Sequence, residues 1–316
     1  GDEITQADRQ RIAADLELMR VSPTTIFSKL EGNEDRGDGS LSLEGDGFGT
    51  HFLVRPYDNV LDADLSNESV GEVSRLRKLL VGFGNTMLPD IQRPPIKGAF
   101  RVKHINGESI DYIGDQEFFN PDEFLTADHV FAGRFDEFGQ FSGEVKVFDR
   151  APVSYTLNWP GAKGAPTECG PFEIQFAVVE GMQHRSLLAP DDWVTMSDKL
   201  TKVGGLYIYR DGVRVLPYGD ADFDFLHIEK RRNMSIKDWF FSYRRMFGAI
   251  LVSSQNNKNL KDKAGREGFR ENIAYIQFKE MLENLLKQLA KDFFREKATF
   301  AEYYALAKEF DDRNDL

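Results

Sequence analysis

A chain of 316 residues, 41% hydrophobic and 29% charged, is long enough for one large or two medium globular domains. Its net charge of −12 argues against coating nucleic acid or an anionic membrane non-specifically, so any anion it binds is bound locally. A single cysteine, Cys169, rules out an intrachain disulfide and a thiolate metal cluster, and no apolar run nears the ~18 residues of a membrane span.

The N-terminus lacks a basic-then-apolar signal pattern, and with the lone cysteine this predicts a cytoplasmic protein with no membrane partner. Taken along the chain, "QADRQRIAADLELMR" predicts a helix that stops before Ser22-Pro23, since proline restricts the residue ahead of it. "EGNEDRGDGSLSLEGDGFG" reads as loop and "THFLVRPY" as a strand ending at Pro56. Val73, Leu76, Leu79 and Leu80 recur at helical spacing, and the prolines from Pro89 to Pro95 end that element.

From residue 99 to 180 the period switches to alternation. "AFRVKHI", "SIDYIG", "HVFAGRF", "GQFSGEVKVF", "VSYTLNW" and "FEIQFAVVE" predict strands between glycine-bearing turns. "NPDEFLTADH" interrupts them as a helix capped by Asn120 with Pro121 at its first position. "GGLYIYRDGVRVLPYG" predicts a hairpin around Asp211-Gly212, and "GAILVSS" a buried strand. Phe269, Ile273, Ile276, Met281, Leu285, Leu289 and Phe293 keep one helical stripe, predicting a terminal helix about 45 Å long. The fold class expected is α+β, with a sheet-rich middle.

No HExxH, paired CxxC, GxSxG or Walker loop occurs. Asp220, Asp222 and Asp224 alternate like calcium-loop ligands, but Phe225 stands where the sharp turn needs Gly and Glu229 comes too early for the bidentate position. His227 and Cys169 read as ordinary surface or packed residues. "NNKNLKDKAGREGFREN" is different, because it gathers Lys258, Lys261, Lys263, Arg266 and Arg270 between a buried strand and a helix. Cations at the positive end of a helix dipole await an anion; the alternative is a solvated loop balanced by Asp262, Glu267 and Glu271.

"GGLYIYRDGVRVLPYGD", "RRMFGAILVSS" and "NLKDKAGREGFRENIAY" together resemble the region after the nucleotide-binding domain of GHKL ATPases, the superfamily of gyrase B, MutL, MORC and the heat-shock-ninety chaperones. The likeness covers roughly residues 48–295 and is nearest to large bacterial members, some of them in defence systems. It implies a transducer domain similar to ribosomal small-subunit protein five, whose strand-to-helix loop sends a cation to the terminal phosphate of ATP. Arg266 is then the first candidate sensor, Lys263 the second and Lys258 the third. Gly49-Thr50 resembles the motif that ends the family's ATP-binding domain, with Thr50 near the adenine.

The same likeness divides the chain into residues 1–56, the end of an ATP-binding domain plus a linker; 57–165, an insert or first half of the transducer; and 166–316, the transducer-like domain with its long helix. ATP and Mg are expected for a complete protein, a missing ATP-binding domain and a second copy being the implied partners. Glu229 to Asn233 and Glu280 to Asn284 match the spacing of the family's catalytic helix but lack its following Asp, and Asp35 to Gly39 stands too close to Gly49 for the intervening lid. The expected function is therefore to complete and sense an ATP site built elsewhere, without hydrolysis by this chain alone. The alternative is an interaction module that binds a partner protein, or nucleic acid through Arg231-Arg232, Arg244-Arg245 and the cationic segment.

Overall fold

The computed structural model describes residues 5–19, 75–89, 100–103, 109–111, 113, 118–235, 240–265, 267–295 and 300. The chain separates into two compact units, residues 1–67 with 99–115, and residues 68–98 with 116–316. In the first lie helix α1 (Gln6–Met19) and an antiparallel pair, β1 (Arg101–Lys103) with β2 (Ser109–Asp111). Thr5 caps α1: its hydroxyl accepts from Asp8 N at 3.2 Å, while the Asp8 carboxylate accepts from Thr5 N at 3.1 Å. The Thr5 hydroxyl also donates to the Asp8 carboxylate at 2.6 Å, and this bond, with the one from Thr5 N, holds the Asp8 carboxyl below its ordinary range.

The second unit is α+β. It contains α2 (Arg75–Leu80), α3 (Pro121–Thr126), β3 (His129–Phe135), β4 (Phe141–Val147), β5 (Val153–Leu157), β6 (Phe172–Val178) and α4 (Pro190–Val203). β7 (Gly205–Arg210), β8 (Val213–Arg214), α5 (Ile228–Met234), β9 (Met246–Val252) and α6 (Ile273–Phe293) follow. Seven strands form one sheet in the order β5-β4-β3-β6-β9-β7-β8, continuous across residue 165. All neighbours are antiparallel except β7 and β9, which run parallel with Ile208 opposite Ile250. A parallel pair needs a crossover, here supplied by β8 and α5.

Strand alternation sorts side chains to two cores. Phe131, Phe176, Ile208 and Ile250 face α6, which covers them with Phe278, Met281, Leu285 and Leu289. Tyr207, Tyr209, Phe247 and Ala249 face the opposite side, covered by Phe119 and Phe124 from the α3 region and Met196, Leu200 and Val203 of α4. Phe119 stacks on Phe247 at 4.1 Å between centroids. The Asn120 cap is present as expected, its side chain accepting from Glu123 N at 3.0 Å, and the Glu123 carboxylate completes a capping box by accepting from Asn120 N.

Two elements differ from expectation. α4 carries Pro190 at its start and Asp191 and Asp192 in its first turn, signals that the polar composition around them obscured. The terminal helix begins only at Ile273, capped by the Asn272 side chain, which accepts from Tyr275 N at 3.0 Å; its 21 residues span about 32 Å. Phe269 belongs instead to an antiparallel bridge with Asp262. Ile273 and Ile276 lie outside the buried stripe, 65% and 50% exposed.

Asp128 heads β3 fully buried, accepting from Glu180 N at 2.7 Å, Leu187 N at 2.6 Å and the Ser186 hydroxyl at 2.8 Å. Burial holds its carboxyl above the ordinary range against the opposing pull of those donors. Beside it His129 Nε2 sits 3.0 Å from Glu180 Oε1. No helix among the described residues is long and apolar enough to cross a membrane.

Candidate functional site

The segment from Ser253 to Asn272 joins β9 to α6, and its backbone is tied down at four places. At its start, Ser253 N donates to Asn257 Oδ1 at 2.8 Å and Asn256 N to the Ser253 hydroxyl at 3.0 Å, closing a tight turn. Asn257 is 1% exposed. Its Nδ2 donates to the carbonyls of Cys169 (2.7 Å) and Pro171 (3.0 Å), which pins the loop to the residues leading into β6. Gly170, at φ 73°, permits this approach: a Cβ there would lie 2.2 Å from Asn256 O.

The second and third ties come from the β7–β8 hairpin. Asp211 at φ 50° and Gly212 at φ 82° form the two-residue turn that the Asp-Gly pair predicts. The Asp211 carboxylate accepts from Ser254 N at 3.1 Å and from the Ser254 hydroxyl at 2.5 Å. Arg210 reaches the middle of the loop: Nη1 meets Asp262 Oδ2 at 2.8 Å, Nη2 donates to Leu260 O, and the guanidinium lies 4.9 Å from the Phe269 ring centroid. Fourth, Tyr218 accepts from Phe269 N at 3.0 Å, and burial raises its phenol above the ordinary range. Bonds from Arg270 N to Lys261 O (2.8 Å) and Lys263 N to Gly268 O (2.9 Å) close the hairpin within the loop.

On this fixed base the cationic side chains face outward. Lys258, Lys261 and Lys263 are exposed, and among the described residues none of their ammonium groups has an ion pair or hydrogen bond. Arg270 is exposed with Nε donating to Asp262 O at 3.2 Å. Arg266, and Gly49 and Thr50 with it, lie outside the described residues. Lys263, expected in the first turn of α6, does not stand there, and neither do Lys258 and Lys261. They precede it on the hairpin, and the helix start is capped by Asn272 rather than open to an anion. Any anion here meets ammonium groups, not the helix dipole.

The remaining candidates are used elsewhere. Asp222 pairs with Lys78 at 2.5 Å, Asp220 accepts from Asp222 N at 3.0 Å, and Asp224 accepts from Glu229 N at 2.9 Å. Among the described residues no three His, Cys, Asp or Glu side chains gather closely enough for a metal ion. His227 is exposed at φ 54°, ahead of α5. Cys169 is buried, and desolvation pushes its thiol up to about 11.

The arginine pairs do not pool with the loop. Arg231 bridges to Glu283 at 2.7 Å, and Arg245 donates to the Ser197 hydroxyl at 3.0 Å while lying 5.5 Å from the Trp193 ring centroid. Glu229 accepts from the Ser242 hydroxyl and from Arg244 N. Glu280 and Asn284 line an open cleft of about 220 Å³ with Arg231, Glu283 and Lys287.

What the sequence pattern did not reveal is the anchoring set of Arg210, Asp211, Tyr218 and Asn257, because each acts on a partner distant in the chain. Comparison with protein-family models finds no match, and neither curated proteins nor solved structures supply one.

Proposed function

We infer that the loop of residues 253–272 is an anion sensor, and that its ligand is the terminal phosphate of a nucleotide held by another domain or chain. In this reading the second unit works as the transducer portion of a GHKL-type ATPase, with a fold akin to ribosomal protein S5. The observation that carries it is the contrast at the loop: a backbone fixed by Asn257, Arg210, Asp211 and Tyr218, bearing three outward lysines without partners. Unpaired ammonium groups on a stiff base suit phosphate oxygens, to which each supplies a point charge.

The fit of ATP is partial. Lys258, Lys261 and Lys263, with Arg266 as the further candidate, would hold phosphate oxygens, whereas the described residues offer no carboxylate cluster for Mg²⁺. In this reading magnesium and adenine are held by the other component, with Gly49-Thr50 at its border. A bound triphosphate supplies concentrated negative charge whose loss on hydrolysis frees the cations. If the contact exists in only one arrangement of the two components, occupancy shifts the population toward that arrangement.

The test is titration of the full chain with inorganic tripolyphosphate at low ionic strength, followed by nuclear magnetic resonance. Weak binding, with a Kd on the order of 1 mM, is expected to perturb residues 256–271 and to vanish when Lys258, Lys261 and Lys263 are all changed to Gln. Unperturbed loop signals in the parent overturn the reading.

A further inference from the structure

Within the cationic run, one acidic residue stands in the worst place for an anion sensor: Asp262, between Lys261 and Lys263. Left alone, its carboxylate would repel the ligand or draw a neighbouring lysine to itself. Arg210 meets it at 2.8 Å, from the last position of β7. Resting on the reading of the loop as an anion site, we propose that Arg210 is a positioning residue of that site, acting through Asp262 to keep the lysines available.

The geometry gives Arg210 this role and leaves it no direct one. Its side chain is 17% exposed against 42% for Asp262, so the guanidinium approaches from the inner side of the loop. Both terminal nitrogens are engaged, Nη1 with Asp262 and Nη2 with Leu260 O, and one face lies against Phe269. Nε is buried without a partner. A guanidinium so held cannot turn outward to the anion. It cancels the Asp262 charge from behind, and the neighbouring Asp211 fixes the loop entrance through Ser254.

A flexible lysine at position 210 would carry the charge without the fork that meets Asp262 and Leu260 together. The carboxylate is also fixed by its own backbone, since Asp262 O accepts from Arg270 Nε and Asp262 is bridged to Phe269. Pairing with Arg210 is therefore the way this loop tolerates Asp262 between Lys261 and Lys263.

The experiment compares tripolyphosphate affinity of the full chain for the parent, Arg210→Gln, Asp262→Asn and the double variant, with thermal unfolding of each as a fold control. Arg210→Gln is expected to weaken binding roughly fivefold. Asp262→Asn should bind at least as tightly as the parent, and the double variant should recover to within about twofold of it. That rescue separates the charge role from a packing role, because lost contacts with Leu260 and Phe269 are not restored by changing Asp262. Arg210→Lys serves if Arg210→Gln does not fold, with an intermediate affinity expected. Parent-like binding by the folded Arg210 variant overturns the inference alone, as does a double variant no better than Arg210→Gln. No binding by the parent removes the proposed function and this inference together.

Discussion

The two ends of the seven-stranded sheet are built on different terms. At the β5-β4-β3 end the face toward α6 is packed, while the other carries Ser142, Glu144, Ser154, Thr156 and Arg134 in the open. Toward β9 and β7 both faces are covered, and the strands "MFGAILV" and "GLYIYR" are buried almost throughout. One-sided burial produces alternation in sequence, two-sided burial a continuous apolar run. The anchored loop leaves the doubly buried end. β7 and β9 are parallel, so the Asp211-Gly212 turn and the Ser253–Asn272 segment emerge side by side, and Arg210 and Asp211 can hold the loop. The part of the sheet covered on both faces thus supports the exposed cationic segment.

The sharpest way to break this contrast is to place a carboxylate at each end. Ile250→Asp, in a site 0% exposed, should leave the chain unfolded at room temperature by circular dichroism, since an unpaired buried charge costs several kcal/mol. Thr156→Asp on the open face should shift stability by less than about 0.5 kcal/mol. Comparable losses at the two positions would dismiss the distinction.

Asn257→Ala examines the junction between sheet and loop. It orphans Ser253 N and the carbonyls of Cys169 and Pro171, and a loss of about 3 kcal/mol in urea unfolding is expected, with faster amide exchange at residues 253–260. An unchanged exchange rate would show that the loop is held without it.

A smaller signal comes from Asp128. Its folded-state carboxyl titrates above the unfolded value, so the native state holds its proton more tightly, and stability relative to Asp128→Asn should fall as pH rises from about 4 toward neutral. Parallel pH profiles for the two proteins would contradict this. Smallest of all is the effect of the loop lysines on stability: Lys258→Gln, Lys261→Gln and Lys263→Gln together should change the free energy of urea unfolding by no more than about 0.5 kcal/mol, because none has a partner to lose.

Much of the α+β architecture was legible in the residues. The Asn120 cap, the Asp211-Gly212 hairpin and the strands from β3 to β6 follow from local chemistry and the two-residue period. The start of α6 was not legible, because Phe269, Ile273 and Ile276 keep helical spacing by number while Phe269 packs against Tyr218 and Arg210 and the two isoleucines face outward. α4 escaped notice because only Met196, Leu200 and Val203 among its apolar residues are buried, beneath a mostly polar surface. At the candidate site the lysines were visible as composition, but the tie from Asn257 to Cys169 spans 88 positions and no local pattern encodes it.

That tie also bears on how quickly and at what entropic cost a ligand could be held. With Asn257 locked beneath the loop, the main chain carrying the lysines has already surrendered its freedom during folding. Capture of an anion would then restrict only side-chain rotations, a cost of about 0.5–1.5 kcal/mol for each lysine immobilised, and release would require no refolding of the support. Such preorganisation favours a contact made and broken repeatedly over one made once.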